Sequence, residues 1–525
     1  MVGSHSHPLR KRIPHRPPGF SSIHSALALI CLLVLSHAAS AQPATIHTRA
    51  QLSREIDEVL DADELSNAFA GVYVVDLSSG SVVYAHDAEK SFIPASNAKL
   101  YTSATALKLL GPDYRYRTDV FRDGPVVDGT IQGNLIVRGS GDPTIGAHFN
   151  DDDVTDITST FRAWADTLRA LGISQIDGDI IGDDDVFDDE PYGSGWSWDD
   201  LDYYYAVPIS GLSFNENAVD FSIKGQRIGM PGIVSWEPLG TDYVEVTNST
   251  VTIGAGNRID EGYARAPGTN HIVLSSRVPA GRTDTESLSI DNPTLYFAHV
   301  LRASLVQSGI SISGQAVDVD DLAIKPDYAS PALRRLMTYA SPPLLEIVEE
   351  MNKESNNFFA EQLIKTVAAE APLPTDEYPV GSAEMGTAVE RELLGGIGVD
   401  TLRVRLVDGS GLSRQDLVTP KSTVTLLSYL WNSRDRAIRD AYYDSLPIGG
   451  VDGTLDYRFR RGAARGNVHA KTGSLTGVSS LSGYVTTRGG TPLAFSIMVN
   501  HFTVETSTVR DAQDAIVELL ARYGS

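Results

Sequence analysis

The 525-residue sequence predicts an α/β (α+β) protein in which an α/β layer is split by a large, mostly β insert. Two observations indicate this fold class. Helical apolar spacing recurs near both ends of the chain, and short β-type runs broken by Gly and Asp dominate its middle. With 42% apolar residues and no repeat of fixed period, the chain can bury a large core. We expect a globular protein whose two sequence halves meet in space.

The first 41 residues have the pattern of a signal peptide. Basic residues between positions 10 and 16 precede an apolar run over 26 to 35, and small residues end the segment near Ala41, where cleavage is expected. The apolar run is shorter than the roughly 20 residues that a membrane-spanning helix needs. Cleavage is therefore favoured over an uncleaved N-terminal anchor, and we expect a periplasmic or secreted protein.

Composition excludes several kinds of site. The only cysteine, Cys31, lies in the predicted signal, so the mature chain would have no thiol for a disulfide, a nucleophile or a thiolate metal site. The formal net charge is −24, and removal of the signal, which holds four basic and no acidic residues, makes it −28. This acidity disfavours nucleic-acid binding.

Residues 42–112 are predicted to form the first half of the α/β layer. Two β-rich runs, 71–77 and 82–85, flank a Ser-Ser-Gly turn and indicate a hairpin. Apolar residues at helical spacing follow, and Gly111 marks the end of this helical pattern. This pattern predicts a buried helix that begins near Ser96.

Residues 113–334 are predicted to form the β-rich insert, and residues 335–525 the second half of the layer. The insert has β-type runs at 133–138, 207–223, 243–253 and 271–278. Its acidic stretch, 177–202, lacks the spacing of a calcium loop. After it, helical spacing returns at 344–351 and 359–367, strands follow around Lys471 and at 481–486 and 493–500, and 509–523 forms a closing helix.

Ser96 and Lys99 form the only S-x-x-K string in the chain. At the start of a helix, side chains three residues apart share a face, which is the geometry of a Ser-Lys nucleophile pair. Backbone N–H groups at a helix N-terminus also favour negative charge on the serine oxygen. The pair requires a neutral lysine, whose pKa burial and a second cation such as Lys471 could lower.

Two further strings supply groups for the same chemistry. Ser355 and Asn357 form an S-x-N string after a predicted helix, where a turn can aim both side chains into a cleft. A competing string at Ser213 sits in the insert without a preceding helix. Lys471, Thr472 and Gly473 form a K-T-G string on a strand, where Gly473 permits close approach of a substrate backbone. His469 is expected to be a structural or rim residue.

S-x-x-K, S-x-N and K-T-G in this order are the signature of the penicillin-recognising serine enzymes. Further stretches make the resemblance specific, and the chain resembles the D-alanyl-D-alanine carboxypeptidase/endopeptidase family, the class C low-molecular-mass penicillin-binding proteins, over nearly its whole mature length. These stretches are residues 141–144, 207–217, 341–344, 351–353, 355–361, 408–413 and 452–455. One departure is Asn356, where many members have Asp.

The resemblance implies a transpeptidase/β-lactamase-like domain, with an antiparallel sheet between helices, interrupted by the insert. It implies that Ser96 attacks the bond between two D-alanines, with Lys99 as base and Ser355 as proton relay. Asn357 would hold the substrate backbone, Lys471 and Thr472 the terminal carboxylate, and the N–H groups of Ser96 and Ser474 the oxyanion. No metal or organic cofactor is expected.

The implied partners are peptidoglycan stem peptides, with β-lactams as inhibitors. A secreted β-lactamase and a non-catalytic wall-binding homologue are the alternatives. Peripheral association with a membrane stays open, and the sequence does not decide the oligomeric state. The acidic residues Asp188 and Asp189 have two interpretations, a solvated loop or carboxylates at the cleft mouth that select a substrate ammonium.

Overall fold

The computed structural model describes residues 46–150, 155–238 and 242–524, and the predicted signal peptide lies outside them. Within these ranges the helices are α1 (Arg49–Leu60), α2 (Lys99–Leu109), α3 (Ser159–Ala170), α4 (Pro293–Gln307), α5 (Leu344–Glu354), α6 (Asn357–Glu370), α7 (Ala383–Gly396), α8 (Pro420–Trp431), α9 (Arg436–Asp444) and α10 (Thr506–Arg522). None of them is long and apolar enough to cross a membrane.

The strands of the same ranges are β1 (Phe69–Asp76), β2 (Val82–His86), β3 (Arg117–Arg122), β4 (Val126–Val127), β5 (Thr130–Ile131), β6 (Leu135–Arg138), β7 (Gln175–Ile176), β8 (Ile180–Asp183), β9 (Ala218–Lys224), β10 (Ile233–Glu237), β11 (Glu245–Asn248), β12 (Val251–Ile253), β13 (Tyr263–Arg265), β14 (His271–Leu274), β15 (Arg277–Pro279), β16 (Thr283–Ser289), β17 (Ser311–Ile312), β18 (Ala316–Asp318), β19 (Arg334–Ala340), β20 (His469–Leu475), β21 (Val478–Thr486) and β22 (Pro492–Asn500).

Strands from the two ends of the sequence form one antiparallel sheet. Its order is β2-β1-β22-β21-β20, and every neighbouring pair is antiparallel. β1 pairs with β22 along its whole length, from Phe69 opposite Asn500 to Asp76 opposite Leu493. The expected meeting of the two sequence halves is thereby confirmed.

Successive apolar side chains of the sheet strands pack against helices on opposite faces of the sheet. On β22, Phe495 and Ile497 pack in a cluster with residues of α1 and α10. Ala494 and Met498 pack in another cluster with residues of α2, α5, α6 and α8. Because successive side chains of a strand point to opposite faces, the sheet is covered on both sides. This is the helix–sheet–helix arrangement that the resemblance implied.

The helix α2 is buried over most of its length. All its residues from Lys99 to Leu107 are buried, and a helix that is buried all round has no solvated face on which to place a charge. Its first residue is nevertheless a lysine, whose residue exposure is 0%. The fold therefore places one amine away from solvent.

The elements between α2 and α5 form further sheets, the largest with the order β18-β8-β6-β3-β19. This region is β-rich as expected, but it also holds α3 and α4, which the sequence analysis did not predict. The start of α4 has recognisable signals, since the Asn292 side chain caps it and Pro293 is its first residue. The β-type run expected at 207–223 becomes a strand only from Ala218. The domain boundaries at 112/113 and 334/335 remain predictions.

Candidate active site

Ser96 lies in a tight turn that leads into α2. The turn is the 3₁₀ segment Ala95–Ala98, and Ala95 has a left-handed backbone with φ of 47°. An L-residue other than Gly, Asn or Asp rarely adopts this conformation, so the surrounding contacts must hold it there. One such contact comes from Ser480, whose hydroxyl donates to the Pro94 carbonyl oxygen at 2.5 Å. The partly exposed Ser96 is fixed just ahead of the helix.

Lys99 donates three hydrogen bonds, one of them to the serine. Its Nζ lies 3.1 Å from Ser96 Oγ, 2.6 Å from Asn357 Oδ1 and 2.8 Å from the Ser410 carbonyl oxygen. Burial lowers the pKa of Lys99 to about 7, against the opposing attraction of buried carboxylates, of which Asp408 is the strongest. An amine with this pKa is partly neutral at neutral pH and can accept a proton.

Ser355 and Lys471 form a second hydroxyl–amine pair. Ser355 ends α5 with a left-handed backbone, φ 62°, and Lys471 Nζ donates to its Oγ at 2.8 Å. Lys471 is fully buried, and burial followed by repulsion from the Lys99 cation holds its pKa well below the usual value. The two serines with predicted catalytic roles, Ser96 and Ser355, are therefore each hydrogen-bonded to a buried lysine. The contribution of Lys471 to the lowered pKa of Lys99 remains a prediction.

The K-T-G strand β20 lies directly against the turn of Ser96. The Asn97 side chain donates to the Lys471 carbonyl oxygen at 2.9 Å. A Cβ atom on Gly473 would lie 2.6 Å from the Pro94 oxygen and 3.0 Å from the Ser96 nitrogen. The glycine thus allows close approach of the turn that carries Ser96, whereas the sequence analysis had assigned it to a substrate backbone.

Thr472 and Ser474 also lie on β20 and were predicted to be part of the site. The Thr472 hydroxyl donates to the Thr454 hydroxyl oxygen at 2.9 Å. Arg510 lies 3.5 Å from the Ser474 hydroxyl. A guanidinium at the end of the strand adds positive charge beside the predicted carboxylate-binding groups, and the sequence analysis had not identified it.

Asn357 is the first residue of α6, and both ends of its amide have partners. Its Oδ1 accepts from Lys99, and its Nδ2 donates to the Tyr205 carbonyl oxygen at 2.8 Å. Tyr205 belongs to the inserted region, and no local pattern links it to the S-x-N string. The S-x-N turn is therefore held from two sides.

Residues 408–413 supply a part of the site that sequence reasoning missed. The Ser410 carbonyl accepts from Lys99, while the Ser410 and Gly409 amides donate to the buried carboxylate of Glu361. Asp408 in turn accepts from the Gly411 amide at 2.7 Å. Two buried carboxylates thus fix the backbone that presents one acceptor to the amine. A backbone carbonyl has no sequence signal, although this stretch contributed to the family resemblance.

Trp196 connects the inserted region to the same loop. Its indole Nε1 donates to Asp408 Oδ2 at 2.9 Å, and the Ser413 hydroxyl donates to the Ser194 carbonyl oxygen at 2.7 Å. Asp408 fixes the loop whose Ser410 oxygen holds Lys99. The insert therefore stabilises the site at a distance from the reacting groups.

His469 takes a structural position, in agreement with the expectation. Its ring stacks on Tyr443, with centroids 4.3 Å apart and an interplanar angle of 24°. Burial lowers the pKa of His469. A stacked, neutral imidazole contributes packing to the edge of the sheet.

The acidic loop is not uniformly solvated. Asp188 Oδ1 accepts from Lys365 Nζ at 2.6 Å, and their side chains are only 14% and 5% exposed. The same ammonium donates to the Glu190 carbonyl oxygen at 2.7 Å. Asp188 is therefore engaged by a lysine of α6, whereas Asp189 is exposed.

We expect Asp188→Asn to lower the free energy of unfolding by about 3 kcal/mol, because it leaves the Lys365 cation buried without its counter-ion. Asp189→Asn, as the matched control, should stay within about 0.5 kcal/mol. Chemical denaturation measures both. Activity on stem peptides with and without a side-chain ammonium should change by the same factor. Selective loss on the peptide with the ammonium would instead support substrate selection by the loop.

The sandwiched antiparallel sheet and the Ser-Lys, Ser-x-Asn and Lys-Thr-Gly groups in one site define a penicillin-recognising serine hydrolase. The profile of the D-Ala-D-Ala carboxypeptidase 3 (S13) family matches residues 52–523. The chain belongs to this family and is a serine-type D-Ala-D-Ala carboxypeptidase.

Individual relatives agree with the family over most of their length. The D-alanyl-D-alanine carboxypeptidase of Actinomadura sp. (strain R39) is 33% identical over 100% of this chain and 94% of its own. The D-alanyl-D-alanine carboxypeptidase DacB of Haemophilus influenzae is 27% identical over 82% and 85%. A crystal structure of penicillin binding protein 4 from Haemophilus influenzae superposes with a TM-score of 0.76 at 23% identity, covering 89% of this chain and 99% of that one. It has the same fold.

Proposed function

We propose that this protein trims peptidoglycan stem peptides through an acyl-enzyme on Ser96. The observation that carries the proposal is the contact between Ser96 Oγ and the buried amine of Lys99, at 3.1 Å, together with the lowered pKa of that amine. Covalent catalysis by a serine requires a base within hydrogen-bonding reach that is neutral near the working pH. Lys99 meets both requirements.

In the proposed acylation, Ser96 Oγ attacks the carbonyl carbon of the D-alanyl-D-alanine bond while Lys99 Nζ takes its proton. The C–N bond then breaks, and the proton taken up by Lys99 is relayed through Ser355, which gives its own proton to the leaving amine and receives one in return. The Lys471 contact to Ser355 supports this relay, because Lys471 Nζ donates a hydrogen bond to Ser355 Oγ at 2.8 Å and so stabilises that oxygen while its proton is transferred. Water then attacks the ester carbonyl carbon while Lys99 takes a proton from it, the bond to Ser96 Oγ breaks, and Lys99 returns the proton to Ser96.

The remaining predicted residues would bind rather than react. Lys471 and Thr472 hold the terminal carboxylate, and Asn357 the substrate backbone. The N–H groups of Ser96 and Ser474 stabilise the oxyanion, a contribution of several kcal/mol in acyl-transfer enzymes. The packing of Gly473 against the Ser96 nitrogen supports this assignment, since it brings the turn that carries Ser96 close to strand β20, which carries Ser474.

Acylation should depend on pH through Lys99. Since its pKa is lowered to about 7, the amine is protonated and unable to act as base on the acidic side, and it becomes neutral as the pH rises. We expect the rate of penicillin acylation to rise across neutral pH and then level off. Stopped-flow acylation rates test this, with circular dichroism at each pH as the control for folding. A rate independent of pH across this range would contradict the assignment of Lys99 as the base.

Digestion of purified peptidoglycan tests the substrate and the reaction type. Release of free D-alanine would indicate carboxypeptidase action, and separation of cross-linked dimers into monomers would indicate endopeptidase action. Mass spectrometry of the fragments distinguishes them. Fast turnover of penicillin without any fragment would favour the β-lactamase alternative, and inactivity on both substrates the non-catalytic homologue.

We propose that the protein acts in the periplasm or outside the cell, where its proposed substrate lies, after cleavage of the predicted signal near Ala41. The β-lactam complex of the Haemophilus influenzae penicillin binding protein 4, which has the same fold, supports the proposal that β-lactams act as inhibitors. N-terminal sequencing of the protein from its native host would locate the cleavage. An N-terminus before the apolar run would favour the uncleaved anchor.

A further inference from the structure

One end of the β9–β10–β16 sheet is basic, although the protein as a whole is acidic. We define the basic tip as residues 224–233, 251–258 and 277–282. It contains five exposed cationic side chains and no acidic residue, in a chain whose net charge is −24. The cations are Lys224, Arg227, Arg258, Arg277 and Arg282. None of the five forms an ion pair with a residue that the structure describes.

Large apolar side chains lie exposed among these cations. Ile228 is 65% exposed, Ile233 54%, Met230 45% and Val251 42%. Single exposed apolar residues are normal on a protein surface, but several within one small region mark an interaction site. Apolar side chains surrounded by cations are the pattern of proteins that bind at the interface of a bilayer.

Backbone hydrogen bonds make the basic tip one continuous surface. The Gly229 amide donates to the Thr252 carbonyl oxygen at 2.9 Å, and the Thr252 amide donates to that of Met230 at 2.8 Å. The Gly225 amide donates to the Arg282 carbonyl oxygen at 2.9 Å. These loops satisfy one another's polar groups, so they can approach an apolar layer at lower cost than an open loop could.

Charge changes sign along the sheet away from the basic tip. At its edge, Ile233 pairs with Lys224, and four residues further along the same pair of strands Glu237 faces Asp220. At the rise of a β-strand this separation is roughly 13 Å. Two acidic residues border the tip: the backbone of Asp260 pairs with that of Arg277, and Asp284, which lies on β16 shortly after Arg282, pairs with Ile223. An anionic surface would therefore attract the basic tip and repel the acidic part beyond it.

We propose that the basic tip docks this protein on the surface of an anionic lipid bilayer. The cations would bind the headgroups, and Ile228, Met230, Ile233 and Val251 would enter the interfacial region. A bilayer fits both the charge and the apolar residues. An anionic polymer or a second copy of this acidic chain would explain the cations alone.

Vesicle flotation of the full chain tests the proposal with phosphatidylcholine vesicles that contain or lack phosphatidylglycerol. We expect binding only to the anionic vesicles and its loss at high salt, because salt screens the attraction. Arg227→Glu combined with Arg282→Glu should weaken binding by at least about tenfold, since each basic residue near an anionic bilayer contributes about fivefold. The matched control, Arg54→Glu with Arg436→Glu, changes two exposed arginines of α1 and α9 and should retain binding.

The apolar contribution has its own pair of variants. Ile228→Ser with Met230→Ser should weaken binding, while Ile324→Ser with Leu402→Ser, which changes residues that are 87% and 93% exposed, should not. Cleavage of a soluble stem peptide should be unchanged in all four variants. Equal binding to both vesicle types, or equal loss in test and control variants, would overturn the proposal. Absence of vesicle binding with self-association that depends on Arg227 and Arg282 would assign the tip to a second copy.

Discussion

Ser96→Ala should abolish covalent labelling by penicillin and lower the rate of D-alanine release by about 10⁴-fold or more, because the acyl-enzyme then has no oxygen on which to form. In the unchanged protein, mass spectrometry of digested, penicillin-treated enzyme should find the adduct on the peptide that contains Ser96. The contact of Ser96 with Lys99 makes it the hydroxyl beside a buried amine with a lowered pKa.

Ser91→Ala is the matched control for this experiment. Ser91 is exposed and lies five residues before Ser96, outside the contacts of the turn. It should retain labelling and activity. An adduct on another residue of the folded protein, or labelling that survives Ser96→Ala, would show that the nucleophile has been assigned wrongly.

Lys99→Ala should slow acylation by about 10² to 10⁴-fold, the usual contribution of a general base. It should also remove the dependence of the rate on pH near 7, which loss of packing alone would not do. Stopped-flow measurement with a chromogenic β-lactam gives both quantities. Lys108→Ala, an exposed lysine of the same helix, is the control and should leave both unchanged.

Lys99 is buried, so its replacement by alanine also opens a cavity. Lys99→Met keeps much of the volume without the amine and provides a second test in case the alanine variant does not fold. Thermal unfolding identifies the variants that are folded. A folded Lys99→Met protein that is acylated at the original rate would mean that another group takes the proton of Ser96.

The inserted region has a larger part in the site than its position in the sequence indicates. Tyr205 binds Asn357 through its backbone, Trp196 binds Asp408, and Asp188 binds Lys365. All three contacts join the insert to the loop or helix that surrounds Lys99. The segment between the S-x-x-K string at Ser96 and the S-x-N string at Ser355 therefore helps to hold the site residues in position.

The sequence by itself determined the chemistry and much of the secondary structure. Covalent catalysis requires particular residue types a few positions apart in the chain. Such motifs can be recognised in the sequence, as with Ser96 and Lys99 or Lys471 and Gly473. Periodicity likewise predicted α2 and the strands at both ends. It missed α3, although the buried Phe161, Trp164 and Leu168 have helical spacing, and it missed α4, whose residues are buried on most sides and so show little amphipathic pattern.

Only the tertiary structure decided the electrostatics of the site. The pKa of Lys99 is lowered by its complete burial, and one of the hydrogen-bond acceptors that hold the amine, Asn357, is 258 residues away in sequence. The Ser410 carbonyl is a group that every residue carries, so no residue pattern could identify it. The ion-pair partner of Asp188, Lys365, can likewise be identified only in the folded structure. The burial of a charged group and its pairing with a partner depend on distances in space, and these cannot be deduced from the order of residues alone.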